Sequence, residues 1–99
     1  MRVMMKVSIP VEAGNKALKD GSLSKTMMKF VEKMKPEASY FLPKNGQRTA
    51  IFVFDLKDPS FIPVVVEPFF VGLNASIAIT PVMNAEDMKA GVEKAMKAL

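Results

Sequence analysis

The chain has 99 residues and a net charge of +4, with 49% hydrophobic and 24% charged residues. This length suits a single domain over residues 1–99, and the composition is typical of a globular protein rather than a disordered one. The chain contains neither cysteine nor histidine. Their absence excludes disulfides, a Cys- or His-ligated metal site, a His-ligated haem and a Ser-His-Asp triad. We therefore predict no metal and no cofactor.

No apolar run approaches the ~20 residues that a membrane-spanning helix needs. Residues 1–10 alternate in hydrophobicity, which is not typical of a signal peptide. The glycines stand too far apart to form a phosphate-binding loop. We expect a cytoplasmic protein with no membrane partner.

The first predicted elements are one strand and two helical segments. Residues 2–9 alternate between apolar and polar side chains and form a half-buried strand. A short helical turn is predicted over residues 12–19, and it ends at Gly21. Ser22 or Ser24 caps an amphipathic helix that reaches Lys35, and Pro36 closes it because the residue before proline is disfavoured in a helix.

The Asn45-Gly46 dipeptide predicts a β-hairpin, since both central residues of a type I′ turn need positive φ. Its strands are predicted over residues 38–43 and 48–55. A two-residue turn fixes the cross-strand partners as Leu42 with Thr49, Tyr40 with Ile51, and Ala38 with Val53.

The second half of the chain predicts two further helices around a strand. An Asp-Pro pair at residues 58–59 begins a helix, which Pro63 and Pro68 should keep short or kinked. Residues 75–82 form an alternating strand. Asn84 begins the terminal helix with a capping-box-like start. An apolar stripe at helical spacing follows in that helix: Met88, Val92, Ala95, Met96 and Leu99.

This order predicts an α+β, ferredoxin-like β-α-β-β-α-β fold with an extra C-terminal helix. The four strands form an antiparallel sheet with helices on one face. The face under the helices should hold Val3, Met5, Val7, Ile9, Phe41, Phe52, Phe54, Ile77 and Ile79. The opposite face should hold Met4, Lys6, Ser8, Tyr40, Leu42, Thr49, Ile51, Val53, Asp55, Ser76, Ala78 and Thr80.

The second of these faces is too apolar for an ordinary wet surface, and a second copy of the chain is the simplest cover for it. We therefore expect a homodimer. Aliphatic side chains with a few polar groups among them are typical of a small-molecule site. A dimer interface filled entirely by side chains is the alternative.

This arrangement resembles the dimeric α/β-barrel superfamily, whose ferredoxin-like subunits pack sheet to sheet into a closed barrel. Nearly the whole chain also resembles a family of short bacterial proteins of unknown function. The motifs that carry the narrower resemblance are Pro10-Val11-Glu12-Ala13-Gly14-Asn15, Lys19-Asp20-Gly21, Lys35-Pro36-Glu37-Ala38, Phe54-Asp55-Leu56, Asp58-Pro59-Ser60, Glu67-Pro68-Phe69 and Thr80-Pro81-Val82-Met83. The superfamily includes cofactor-independent monooxygenases, isomerase-like enzymes and members with no known chemistry. Its haem-using branches need a histidine that this chain lacks.

Six side chains are candidates for ligand binding: Lys6, Ser8, Asn15, Tyr40, Asp55 and Glu67. The Tyr40 hydroxyl either donates to a bound carbonyl or phenolate or reaches solvent at the rim. Lys6 and Asp55 either bind a ligand together or form an ion pair. No catalytic residue is predicted.

The remaining candidates lie near predicted loops. Asn15 follows the first strand, where its carboxamide either binds a ligand or caps the next helix. Glu67 either covers the mouth of the barrel or is an exposed helix residue. Arg48, at the end of the hairpin, is either solvated or binds an anion.

The RNA-recognition motif shares this element order and reads RNA with aromatic side chains on its sheet. Phe52 and Phe54 match part of its third-strand pattern, but Ala50 breaks the pattern, and the first strand offers Met4 and Met5 in place of an aromatic residue. We therefore predict no nucleic-acid partner.

The function predicted is binding of a small apolar or aromatic molecule in a barrel formed by homodimerisation. A cofactor-independent monooxygenase or isomerase-like enzyme and a non-catalytic structural or interaction protein are the alternatives.

Overall fold

The computed structural model describes all residues from 1 to 99 and shows an α+β protein with one four-stranded antiparallel sheet and four helices. The sheet order is β2-β3-β1-β4. In chain order the elements are β1 (Arg2–Ile9), α1 (Val11–Asp20), α2 (Ser22–Met34), β2 (Ala38–Lys44), β3 (Gln47–Asp55), a 3₁₀ turn (Pro59–Phe61), α3 (Ile62–Leu73), β4 (Ser76–Pro81) and α4 (Ala85–Ala98). None of the four helices combines the length and the apolar content needed to cross a bilayer.

The β2–β3 hairpin has the predicted register. Leu42 pairs with Thr49, Tyr40 with Ile51, and Ala38 with Val53. The backbone φ angles of Asn45 and Gly46 are 53° and 74°, the left-handed values that a type I′ turn requires. The local prediction of this element is therefore confirmed.

The core lies between one face of the sheet and helices α1 to α3. In β1 the odd-numbered side chains are buried and the even-numbered ones are half-buried, because side chains alternate across a strand. The Phe30 ring of α2 lies 4.5 Å from the Phe52 ring of β3 and 5.7 Å from the Phe69 ring of α3, measured between centroids. These aromatic contacts hold the sheet and two helices together.

Gly21 divides the first helical region into α1 and α2, as predicted. Its φ angle is 83°, which favours glycine, and it serves as both the end of α1 and the cap of α2. The Asp20 carboxylate accepts a hydrogen bond of 2.8 Å from the Ser22 N–H, which begins α2. In contrast, Pro68 does not end α3, which is 12 residues long. Four of its side chains pack into the core and stabilise the helix on both sides of the proline.

Phe41 differs from its prediction. It lies on the helical side of the sheet and its ring makes an edge contact with Phe52 at 5.9 Å, but 63% of the residue is exposed. The reason is its position on β2, an edge strand that the helices do not cover. Alternation therefore predicts the correct side for Phe41 but overestimates its burial.

Helix α4 packs on no other helix of the chain, and every one of its residues is exposed. The predicted capping box is present, with the Asp87 N–H donating to Asn84 Oδ1 at 2.8 Å. A single side-chain hydrogen bond links α4 to the body of the protein, from Arg2 Nη1 to Asp87 Oδ2 at 3.1 Å. The apolar stripe of α4 therefore faces solvent. The molecule is 55 Å long in its longest dimension.

Candidate functional site

The face of the sheet turned away from the helices has no cover within the chain. It consists of the even-numbered residues of β1, β2 and β4 and the odd-numbered residues of β3, and we name it the open face. Apolar and polar side chains share it, as predicted. All of its residues except Thr49 are half-buried or exposed, whereas the opposite face of β1 is buried throughout.

The open face brings three of the predicted site residues together. Lys6 lies in the central strand β1, between Ile51 of β3 and Ala78 of β4. Tyr40 lies in the same row on the far side of Ile51, and 65% of it is exposed. Ser8 lies two residues along β1 from Lys6, on the same face. Lys6, Ser8 and Tyr40 thus surround a largely aliphatic surface.

Lys6 forms no ion pair with a carboxylate. The pKa of Lys6 is lowered from its ordinary value of 10.5, first by interaction with the Lys44 side chain and then by the positive charge of that side chain. Lys6 and Lys44 both belong to the open face, as even-numbered residues of β1 and β2. A surface of this kind favours anionic groups over cationic ones.

The ion pair suggested between Lys6 and Asp55 is not formed. Asp55 lies opposite Arg2, at the end of the sheet, and its Oδ1 atom is 2.7 Å from the Met1 ammonium. That hydrogen bond and charge lower the pKa of Asp55. The two residues share a face and lie on neighbouring strands, as predicted, but they are four residues apart along the strands, because nothing in the sequence sets the register between β1 and β3.

Asn15 and Glu67 lie on the other side of the sheet from the open face. Asn15 is inside α1, in the second turn after the first strand, and it caps no helix. The helix begins directly after Pro10 and contains the whole of the helical turn predicted over residues 12–19. Glu67 is an exposed residue of α3, so it covers no part of the open face.

Asn15 belongs to a second surface, which we name the hairpin groove. This groove lies between helices α1 and α2 and the β2–β3 hairpin, on the helical side of the sheet, with a volume of about 830 Å³. Its apolar lining includes Val11, Leu23, Met27, Met28, Phe41 and Leu42, and Arg48 is its only charged residue.

Arg48 is held in the hairpin groove by two residues of α1. Its Nη2 atom donates a hydrogen bond of 3.1 Å to Asn15 Oδ1. Its Nη1 atom lies so close to α1 that a Cβ atom added to Gly14 would be 2.6 Å away. A side chain at position 14 would therefore displace the end of Arg48 from this position against the helix. The sequence carries no signal for this contact, because the residues are 34 positions apart and belong to elements whose packing is not fixed locally.

The residues available limit the chemistry of both surfaces. No group of three or more Asp, Glu, His or Cys side chains is arranged to hold a metal ion. Both surfaces combine aliphatic contacts with cationic hydrogen-bond donors, which suits binding of an apolar molecule with acceptor groups.

No protein-family model matches the chain, and no curated protein is similar enough to it to count as a relative.

Proposed function

We propose that two copies of this chain pair through their open faces and bind a small, mostly apolar or aromatic molecule between the two sheets. In this proposal each subunit is ferredoxin-like and the pair forms a dimeric α/β barrel. The observation that carries it is the open face, a mixed apolar surface with helices on one side of the sheet and nothing on the other. Exposed apolar surface of this kind is typical of interfaces and ligand sites.

The open face is of the order of size that a protein interface needs. The four strands have eight, seven, nine and six residues. At roughly 4.8 Å between strands and 3.3 Å per residue they cover about 400–500 Å² in projection. A standard interface buries about 800 Å² of accessible surface on each partner, and side chains give a sheet face more accessible surface than its projection. An additional element packed beside the sheet would enlarge the interface further.

Helix α4 is the element that has area to contribute. A helix of 14 residues is marginal in water on its own, because helices shorter than about 12–15 residues gain too little to offset their nucleation cost. Met88, Val92 and Met96 form an exposed apolar stripe along it. We propose that this stripe packs on the partner subunit and that Arg2 and Asp87 set the angle at which α4 leaves the sheet.

The ligand site of this proposal lies between the sheets. Sheets that pack face to face are about 10 Å apart, and Lys6, Ser8 and Tyr40 supply the polar groups of that space. Lys6 and Tyr40 offer hydrogen-bond donors to a carbonyl, phenolate or carboxylate. No arrangement of residues here supports a particular reaction, so the proposal is of binding.

Native mass spectrometry of the full chain purified from its own host tests this proposal. We expect twice the 10.9 kDa mass of one chain, plus a compound that is released on denaturation. Lys6→Met and Tyr40→Phe should lower the amount of that compound, whereas Lys57→Met, which removes an exposed lysine outside the sheet, should not. A dimer without any bound compound in all four proteins would contradict the ligand part. A monomer would contradict the whole proposal.

A further inference from the structure

We infer that the hairpin groove is a separate binding site for an amphipathic anion, with its acidic headgroup on Arg48 and its apolar tail along α2. Most of the groove lies on the helical side of the sheet, between α1, α2 and the hairpin, and it meets the open face only at Leu42, Gln47 and Thr49. Its volume of about 830 Å³ lies within the ~300–1,000 Å³ that small-molecule pockets occupy.

Arg48 supplies the headgroup site because its guanidinium is fixed but incompletely used. A guanidinium carries five N–H donors, and the chain engages it through one hydrogen bond, from Nη2 to Asn15 Oδ1. Arg48 is half-buried and pairs with no carboxylate of the protein. A planar fork of this kind binds a carboxylate through two parallel hydrogen bonds.

The position of Arg48 is set before any ligand arrives. Asn15 holds one nitrogen, and Gly14 provides the space for the other against α1. A side chain held in this way loses less conformational entropy on binding than a free surface arginine does. The arrangement therefore has the features of a site rather than of a solvated charge.

The groove beside Arg48 suits an apolar tail. Leu23, Met27 and Phe41 are among its lining residues, and no Asp or Glu lines it. Methionine side chains adapt their shape to the molecule they contact. The apolar stripe of α4 from a second copy is a less suitable occupant, because Met88, Val92 and Met96 would cover Arg48 without pairing its charge, and burial of an unpaired charge is costly.

Titration of the full chain with dodecanoate tests the inference. Methyl-¹³C methionine labelling provides a reporter on each surface: Met27 and Met28 in the groove, Met4 on the open face, and Met88 and Met96 on α4. We expect saturable shifts at Met27 and Met28 and none at Met4. Methyl dodecanoate, which has the same tail but no charge, should bind much more weakly.

Arg48→Met keeps most of the apolar side chain and removes the charge. Since hydrogen bonds to charged groups are worth about 1.5–3 kcal/mol, dodecanoate affinity should fall roughly tenfold to a hundredfold. The matched control Lys57→Met removes an exposed lysine beyond the far end of β3 and should leave the affinity unchanged. The spectrum of the Met5 methyl, in the core, reports whether each variant is folded.

Three results would overturn the inference. The first is equal affinity of Arg48→Met and the unmodified chain for dodecanoate. The second is a shift at Met4 without shifts at Met27 and Met28, which would place the ligand on the open face as the barrel proposal has it. The third is a nuclear Overhauser contact in the free protein between the Met88 or Met96 methyls and those of Met27 or Met28, which would show that α4 fills the groove. A monomeric protein that binds dodecanoate in the groove would support this inference while contradicting the barrel.

Discussion

The Asp20 side chain stabilises the junction between α1 and α2. It ends α1, and its carboxylate accepts a hydrogen bond from the first residue of α2. Hydrogen bonds from the Ser22 side chain and backbone, followed by the charge of Lys16, lower the pKa of Asp20 from its ordinary value of 3.8. The ionised carboxylate therefore stabilises the folded state, because the folded protein binds this proton less readily than the unfolded chain does.

The pH dependence of this contribution has a definite sign. It is complete above the unfolded pKa of 3.8 and is lost as the pH falls through the lowered folded pKa. We expect Asp20→Asn to be less stable than the unmodified chain at neutral pH, with a smaller difference at a pH of about 2.5. Urea unfolding at the two pH values measures this. Glu32→Gln, at an exposed position of α2 without a side-chain hydrogen bond, should change the unfolding free energy by less than about 0.5 kcal/mol. A difference for Asp20→Asn that is the same at both pH values would show that ionisation has no part in it.

Periodicity in the sequence predicts which face of the sheet a residue lies on, but not which residues lie beside it on the neighbouring strand. The alternation of β1 and β3 placed Lys6 and Asp55 on one face, because side chains alternate every second residue. Alternation cannot show how far apart the two residues lie along the strands, because the long connection between β1 and β3 does not set their register. Arg48 shows the same limit, because its contact with Gly14 depends on how α1 packs against the hairpin.

At the scale of elements, the hairpin was the most predictable part of the fold. A two-residue turn fixes both the backbone conformation and the register of its strands, so the cross-strand pairs followed from Asn45-Gly46 alone. Helix α4 was predictable in its cap and its apolar stripe. Its partner was not, because amphipathicity tells which face is buried but not what covers it.

Substitution of two glycines tests how the turn is held. Gly46→Ala places a Cβ atom on a residue with a φ of 74°, which should cost about 1–2 kcal/mol of unfolding free energy. Gly72→Ala is the matched control, since Gly72 is inside α3 and an added Cβ meets nothing within 4 Å. It should stabilise the protein by about 0.5–1 kcal/mol because alanine favours the helix. Thermal or urea unfolding measures both, and destabilisation by the two substitutions alike would contradict the stated role of the turn.

The protection of α4 against hydrogen exchange should depend on protein concentration. If α4 packs on a partner, its amides are protected where the dimer forms and exchange freely on dilution, while β1 amides stay protected at both concentrations. Val92→Glu places a charge in the middle of the apolar stripe and should remove the protection of α4 without changing that of β1. Protection of α4 that is the same at every concentration would show that it packs on no second copy.

The whole molecule is an α+β domain with three apolar surfaces that its own chain leaves uncovered: the open face, the stripe of α4 and the hairpin groove. The helices α1 to α3 cover one side of the sheet, and neither the open face nor the stripe of α4 is buried. The sequence predicted the open face because both faces of β3 are apolar. The sequence does not show how large the uncovered apolar surface is. The direction in which α4 leaves the sheet and the presence of the hairpin groove depend on how the elements pack together.

Sedimentation equilibrium of the full chain, compared with Ile51→Arg, tests pairing through the open face most directly. The Ile51 side chain is at the centre of that face and points away from the core, so its replacement should leave the circular dichroism spectrum unchanged. Val71→Arg is the matched control, at a position of α3 that is 81% exposed. If the chains pair through the open face, the measured mass is twice 10.9 kDa for the unmodified chain and for Val71→Arg, and 10.9 kDa for Ile51→Arg. A single 10.9 kDa species for the unmodified chain at ~10 μM, where specific dimers with sub-micromolar Kd persist, would contradict it.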